Sequence, residues 1–399
     1  MTNRERVFNT LYHRPVDRIP TQVSPWGETV KRWVSEGHIK QGWDVERHFG
    51  SAIRGGAWFN MVADMDFKPV IIEETETTKV VLDGNGAKLR RHKLHETTPE
   101  HVDFTVKDRA SWEAHARPHL REANRRRVNF RSYRETRAYA MLGGEFFVWS
   151  GVGPFELMHP VCGHEHMLAG MVEDPDWVKD MVDTYVSLTI NLLETLFYEE
   201  GWPDGVFLYE DLGFKGKPFM SPRMFAQFLQ PGYKRIFDLA HSRGCKVIVH
   251  SCGFLEPLVP GLVEAGMDCL QAMEVKAGMD MPRLFKQFGE RIAFFGNIDV
   301  RTLISNDRQQ IDAELERKIV PVMSSGGAYI LHTDHSEPPE INYETERYFV
   351  EKGIAVATAA ARRSYRRHPA GSAGARAGRP AGVRGNTSLA APALTARLK

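Results

Sequence analysis

Lys246-Val247-Ile248-Val249-His250-Ser251-Cys252-Gly253 joins a short β-prone apolar run to a polar tip, and the same construction recurs on either side of it. A run without polar alternation is buried on both faces, which is how the strands of a parallel sheet covered by helices read. Upstream, Val206-Phe207-Leu208-Tyr209 precedes a helix with Ser221 as N-cap and Pro222 in its first turn. Pro231 should break that helix, and its second stretch stops at Gly244. Downstream, helices are expected near Leu258–Ala265, Pro282–Phe288, Gln309–Met323 and Tyr343–Ala361. They alternate with strands at Cys269–Met273, Ile292–Phe295 and Ala328–His332.

Five consecutive β–α units of this kind predict an α/β fold, a (β/α)8 TIM barrel, and 399 residues is within the range of a single such domain. The first half is less regular. It offers strands at Ile19–Val23 and Phe146–Trp149, a long helix near Trp177–Tyr198, and an antiparallel hairpin excursion over Val70–Leu82 with a turn at Asp83-Gly84-Asn85-Gly86. A doubly wound open sheet is the alternative. The absence of Gly-x-Gly-x-x-Gly and of a Walker-type lysine loop speaks against nucleotide-phosphate binding.

Composition narrows the class of function. No apolar run approaches the roughly 18 residues of a membrane span, and the N-terminus leads into no apolar signal region. Cys162, Cys245, Cys252 and Cys269 are too few for a disulfide framework in so long a chain and suit a reducing compartment, so a cytoplasmic location is expected. The domain is expected to span residues 1–361. Residues 362–399 carry nine basic side chains and no acidic one in an Ala/Gly/Pro/Arg-rich stretch that reads as a disordered tail. Taking those nine charges from the net +1 leaves the body at −8, which argues against nucleic acid as its partner.

In a barrel of this type the reactive groups sit at the carboxyl ends of the strands. Here those ends read Glu210-Asp211, His250-Ser251-Cys252, Glu274 with Lys276 close behind, Asn297 with Asp299, and His332-Thr333-Asp334-His335. His250 and Cys252 lie two apart on an extended segment, on one side of it and roughly 6–7 Å apart along the chain, a gap that a zinc ion can bridge. A lone His-x-Cys is commonly incidental packing, and Glu210, Asp211 and Asp299 also read as helix caps or loop acceptors. Catalytic zinc takes three protein ligands, so the third would come from His335, Asp334 or Glu210. Lys276 reads as the ion-pair partner of a rim carboxylate.

Several motifs stand in order: Arg4-Glu5-Arg6-Val7, His13-Arg14-Pro15-Val16-Asp17-Arg18-Ile19-Pro20, Glu210-Asp211-Leu212-Gly213, His250-Ser251-Cys252-Gly253, Glu274-Val275-Lys276-Ala277-Gly278 and Phe295-Gly296-Asn297-Ile298-Asp299. Together they resemble the uroporphyrinogen decarboxylase superfamily over nearly everything up to residue 361. The resemblance implies a (β/α)8 barrel and one of two chemistries. Decarboxylases proper carry an N-terminal arginine-rich motif that grips tetrapyrrole carboxylates. This chain reads Val23-Ser24-Pro25-Trp26-Gly27-Glu28-Thr29 there, without arginine. The corrinoid-dependent methyltransferases look like the better match. Their zinc site uses a His-x-Cys motif, matched by His250 and Cys252, and a later Cys before Pro-Pro, where this chain has His335 in Asp334-His335-Ser336-Glu337-Pro338-Pro339. The resemblance thus implies zinc held by His250, Cys252 and His335, a corrinoid carried by a partner protein, and a small methyl acceptor. Glu210, Asp211 and Asp299 would be catalytic, and Asn297, Glu274 and Lys276 would contact substrate. A cofactor-free decarboxylase of a polycarboxylate is the second expectation.

Overall fold

The computed structural model describes residues 1–94, 99–121 and 124–367. Its centre is a curled sheet of seven strands: β1 Ile53–Gly56, β2 Phe146–Val152, β3 Gly205–Tyr209, β4 Lys246–Ser251, β5 Cys269–Ala272, β6 Ala293–Gly296 and β7 Tyr329–Ile330. They lie side by side in chain order, and every neighbouring pair is parallel. Six of the seven fall where unbroken apolar runs predict them. β1 was not anticipated, because Ile-Arg-Gly-Gly has neither β-propensity nor a pattern.

Helices return the chain between strands: Pro154–Glu173 and Pro175–Glu200 after β2, Gln230–Ser242 after β3, Val259–Ala265 after β4, Met281–Phe288 after β5 and Arg308–Met323 after β6. Ser221 caps Pro222–Phe228 by accepting from the Met224 N–H, and the expected break comes at Leu229, just before Pro231.

Residues 19–23, expected as a strand, pair at a single bridge from Thr21 to Leu331. Gln22 donates to the Leu331 carbonyl and Leu331 to that of Pro20, both at 2.9 Å, while Ala52 donates to the Thr21 carbonyl at 2.8 Å. This segment therefore ties the β7 side of the sheet to the β1 side. Inside the curl, Phe146, Val148, Phe207, Ile248, Phe295 and Ile330 form one buried cluster, and Val7 and Leu11 of the helix Asn3–Leu11 complete it. A much larger apolar layer lies between the sheet and the surrounding helices.

The expected hairpin excursion is a four-stranded antiparallel sheet, Val70–Glu74, Thr78–Leu82, Ala87–His92 and Glu100–Phe104. Its turn at 83–86 forms as read, with Asp83 accepting from the Asn85 and Ala87 N–H groups and Gly86 at φ 76°. At the other end, the last helix runs Tyr343–Arg367 and so passes the boundary expected at 361. The remainder of the stretch read as a tail lies outside the described residues. No helix among the described residues is long and apolar enough to cross a membrane.

Candidate metal centre

β3 and β4 run parallel in register His250 to Tyr209, so the residues two further along each strand, Cys252 and Asp211, project on the same side one layer higher. Three ligand atoms converge there: those of Asp211, His250 and Cys252 all lie within 4.8 Å of one another. His250 Nε2 is 3.4 Å from Cys252 Sγ and 3.5 Å from Asp211 Oδ1. Ligands at the usual zinc distances stand roughly 3.3–3.8 Å apart along a tetrahedral edge. Both separations from His250 fall in that range, and the donor set, a nitrogen, a thiol and a carboxylate, is compatible with zinc.

The surroundings fix these atoms. Gln271 Oε1 on β5 bonds His250 Nδ1, which leaves Nε2 turned to the cluster. The Cys252 N–H donates to Asp211 Oδ1 at 2.9 Å, and the Gly253 N–H donates to Glu274 at 2.8 Å. Gly253, at φ 75°, lets the chain pass Gly213 so closely that a Cβ would lie 2.2 Å from its backbone. Burial opposes charge on His250, yet Asp211 and Cys252 outweigh it and raise the imidazole to about 10. Burial acts against ionisation of Asp211 too, and His250 and Cys252 again prevail, holding the carboxyl below its ordinary value. Three electron-rich groups around one point favour a cation there.

The cluster forms part of the wall of a cavity of about 770 Å³. Asp211 and Cys252 line it together with Glu274 and Lys276, which are themselves paired at 3.2 Å. Three expected residues are not brought to this point. Glu210 does not line the cavity. It is buried at the start of the helix Pro154–Glu173, where it accepts from the Phe155 and Glu156 N–H groups and from the Tyr233 hydroxyl, and burial raises it to about 8. Asn297 is fully buried, accepting from the Met281 N–H and from Lys318 while donating to the carbonyls of Met273 and Met279, so it braces the backbone beneath the rim. Asp299 caps Val300–Ile304 and pairs with Arg301 at 2.7 Å. Its neighbour Asp334 is likewise an acceptor for the Val275 and Val300 N–H groups.

His335 is exposed and is not part of the three-residue cluster, its ring lying against the carbonyl of Ser336. The third member of the cluster is Asp211, which the sequence offered as a catalytic carboxylate. Residues the sequence did not single out complete the cavity: His159 and His164 from the helix Pro154–Glu173, and Phe214 and Phe219 from the hairpin beyond β3. Their signal was hidden, since neither stretch has strand-end character.

The family model for uroporphyrinogen decarboxylase (URO-D) matches residues 96–353. A solved methyltransferase from Methanosarcina mazei superposes with a TM-score of 0.58 at 16% identity, covering 88% of this chain and 98% of that one, a likeness of fold. A structure of KDPGal, 15% identical over 55% of this chain and 93% of that one, has a TM-score of 0.17 and carries no weight. No curated protein matches significantly.

Proposed function

The chain belongs to the uroporphyrinogen decarboxylase family, and from that premise we propose that it is a zinc-dependent methyltransferase, moving a methyl group between a corrinoid on a partner protein and a small thiol acceptor. The observation that carries the reading is the convergence of Asp211, His250 and Cys252 ligand atoms at the ends of two adjacent strands. These three residues would hold the ion and leave a fourth position for the acceptor sulfur. Bound zinc would supply a deprotonated thiol at neutral pH, where a free thiol near pKa 8.5 is mostly protonated. Gln271 orients the imidazole, the Cys252 N–H positions the Asp211 carboxylate, and Glu274 with Lys276 faces the acceptor. Residues 19–23, bonded on both sides, would serve as the eighth strand of a (β/α)8 barrel.

The decarboxylase reading requires several uncommitted cations for a polycarboxylate, and the large cavity offers one among the described residues, Lys215, since Lys276 pairs with Glu274 and Arg301 with Asp299. A second hollow, about 280 Å³, is lined by Arg54 among others. That guanidinium is already held by Asp44, Glu46 and Glu145. Metal analysis of the purified protein beside Cys252→Ser, followed by incubation with methylcobalamin and thiols under a cobalamin absorbance readout, tests the proposal. Stoichiometric zinc lost in the variant, with thiol-dependent demethylation of the corrinoid, is the expected result. A metal-free wild type would sink the idea.

A further inference from the structure

The cavity that Asp211 and Cys252 line is also lined by a column of flat rings. His159 and His164 stack with centroids 4.4 Å apart and planes at 17°, and His164 stacks on Phe219 at 4.8 Å and 8°. Phe214 extends the column beyond Phe219 at 5.8 Å, and His101, from the strand Glu100–Phe104, meets His159 edge-on at 5.1 Å.

This stack is built against the preference of the backbone. Residues five apart on a regular helix lie about 140° apart around the axis and about 7.5 Å along it, so His159 and His164 would not meet. They meet because the helix Pro154–Glu173 is broken at Gly163, with φ 74° and ψ 158°, a conformation open essentially to glycine alone. Phe104 of the antiparallel sheet fills the notch, where a Cβ on Gly163 would lie 2.5 Å from its ring. The column is uncharged at neutral pH at its centre, since burial, assisted by His159 and His101, pushes His164 down to about 4. Around the same cavity stand Lys276, Arg301 and Lys215. Lys276 is paired with Glu274 and Arg301 with Asp299, while Lys215, exposed on the hairpin, has no acidic partner among the described residues. A cavity of about 770 Å³ is in the size range of ligands far larger than a two- or three-carbon thiol.

We infer that the methyl acceptor is an aromatic thiol acid, its ring laid against the His164–Phe219 wall and its carboxylate directed to Lys215, a substrate class that rests on the methyltransferase reading above. Flat rings at this wall add offset-stacked or edge contacts worth about tenfold in affinity over an aliphatic chain of equal length. The carboxylate adds a smaller, salt-sensitive increment at an exposed lysine.

Isothermal titration of the zinc-loaded full chain with three thiols, each affinity corrected for that thiol's own acidity, reads this directly: 4-(mercaptomethyl)benzoate, 6-mercaptohexanoate and benzyl mercaptan. The benzoate is expected to bind about tenfold tighter than the hexanoate and several-fold tighter than benzyl mercaptan. Phe219→Leu should bring the first ratio towards one, and the exposed Lys215→Ala should do the same to the second. Equal binding of the benzoate and hexanoate to the wild type, with zinc and methyl transfer both present, overturns the substrate class and leaves the proposed reaction standing. Absence of zinc and of methyl transfer overturns the reaction itself, and the ring ratio then reads the wall alone. A ring preference that survives Phe219→Leu also overturns the inference.

Discussion

The two walls of the large cavity are made by opposite means. Asp211, His250 and Cys252 sit on the wall formed by the ends of β3 and β4, where the pleat alone dictates that side chains two apart share a face. The other wall is assembled from a broken helix, a short hairpin and the edge of the antiparallel excursion, none of which dictates a neighbour by periodicity. On the proposed reading, the chemistry that must hold atoms to a few tenths of an ångström would rest on regular structure, and recognition on irregular structure that can be rebuilt without disturbing it.

Breaking the strand-end wall should have the largest effect. Cys252→Ser removes one of three converging ligands, so metal affinity and methyl transfer are expected to fall by more than about 100-fold, beyond what loss of a supporting hydrogen bond does. Its side chain is half-buried rather than part of the core, so the unfolding free energy should move by less than about 1 kcal/mol. Inductively coupled plasma analysis and a chemical melt check the two halves. A variant that keeps its metal would show that the cluster is not the site.

The reverse dissection is Gly163→Ala. It forces an L-residue into a glycine conformation and drives a methyl group into the Phe104 ring, which together cost about 2–4 kcal/mol of stability. Zinc affinity should stay within about twofold of wild type, because none of the three cluster residues comes from that helix. Denaturant melts and a chelator competition separate the outcomes, and a large loss of metal affinity would deny that the two walls are independent.

The same contrast explains what could be read from sequence. Val206-Phe207-Leu208-Tyr209 and Lys246-Val247-Ile248-Val249 are apolar because both faces of a parallel strand are buried, so strand, direction and the polar tip all follow from composition. His250 and Cys252 were legible for the same reason. Asp211 was visible as a rim carboxylate, but its place beside His250 depends on the register between β3 and β4, which one strand's sequence does not encode. Glu210 and Asn297 occupy equally polar tips and turn inward to satisfy backbone groups, a choice decided by which N–H lies unpaired nearby. The histidine column was illegible because its two members meet only through the break at Gly163, and its third member arrives from a sheet more than fifty residues earlier.

Gln271→Leu sharpens the comparison on the strand side. It removes the acceptor that bonds His250 Nδ1 while keeping bulk on β5. The imidazole loses its fixed tautomer and orientation, and zinc affinity should fall about 10–100-fold, less than for Cys252→Ser. Competition against a zinc chelator of known strength measures the drop. An unchanged affinity would mean that packing, including the Tyr209 ring 5.0 Å away, already holds the imidazole without the amide.

Acid should act on the other wall, and more weakly. His164 is held at about 4 in the folded chain, by burial first and then by His159 and His101, with Asp211 pulling the opposite way. His101 is lowered too, mainly by burial and then by His159, and Glu156 lies 3.3 Å from His159. An unfolded histidine titrates near 6.5, so above that pH neither state binds the proton and the folded state keeps its full stability. As the pH falls from about 6.5 towards 4, the unfolded chain takes up a proton that the folded imidazole refuses, and stability is lost across that window. At pH 5 an undiminished shift would remove about 2 kcal/mol, and the partial exposure of His164 reduces this to about 1 kcal/mol. Melts at pH 7.5 and 5 should show that loss, and His164→Phe, which keeps a flat ring in the column, should abolish much of it. Hydrogen exchange should place the acid-induced opening in the helix Pro154–Glu173 and not in β3 or β4. An identical acid slope in His164→Phe would assign the loss to other groups and leave the column without a role in it.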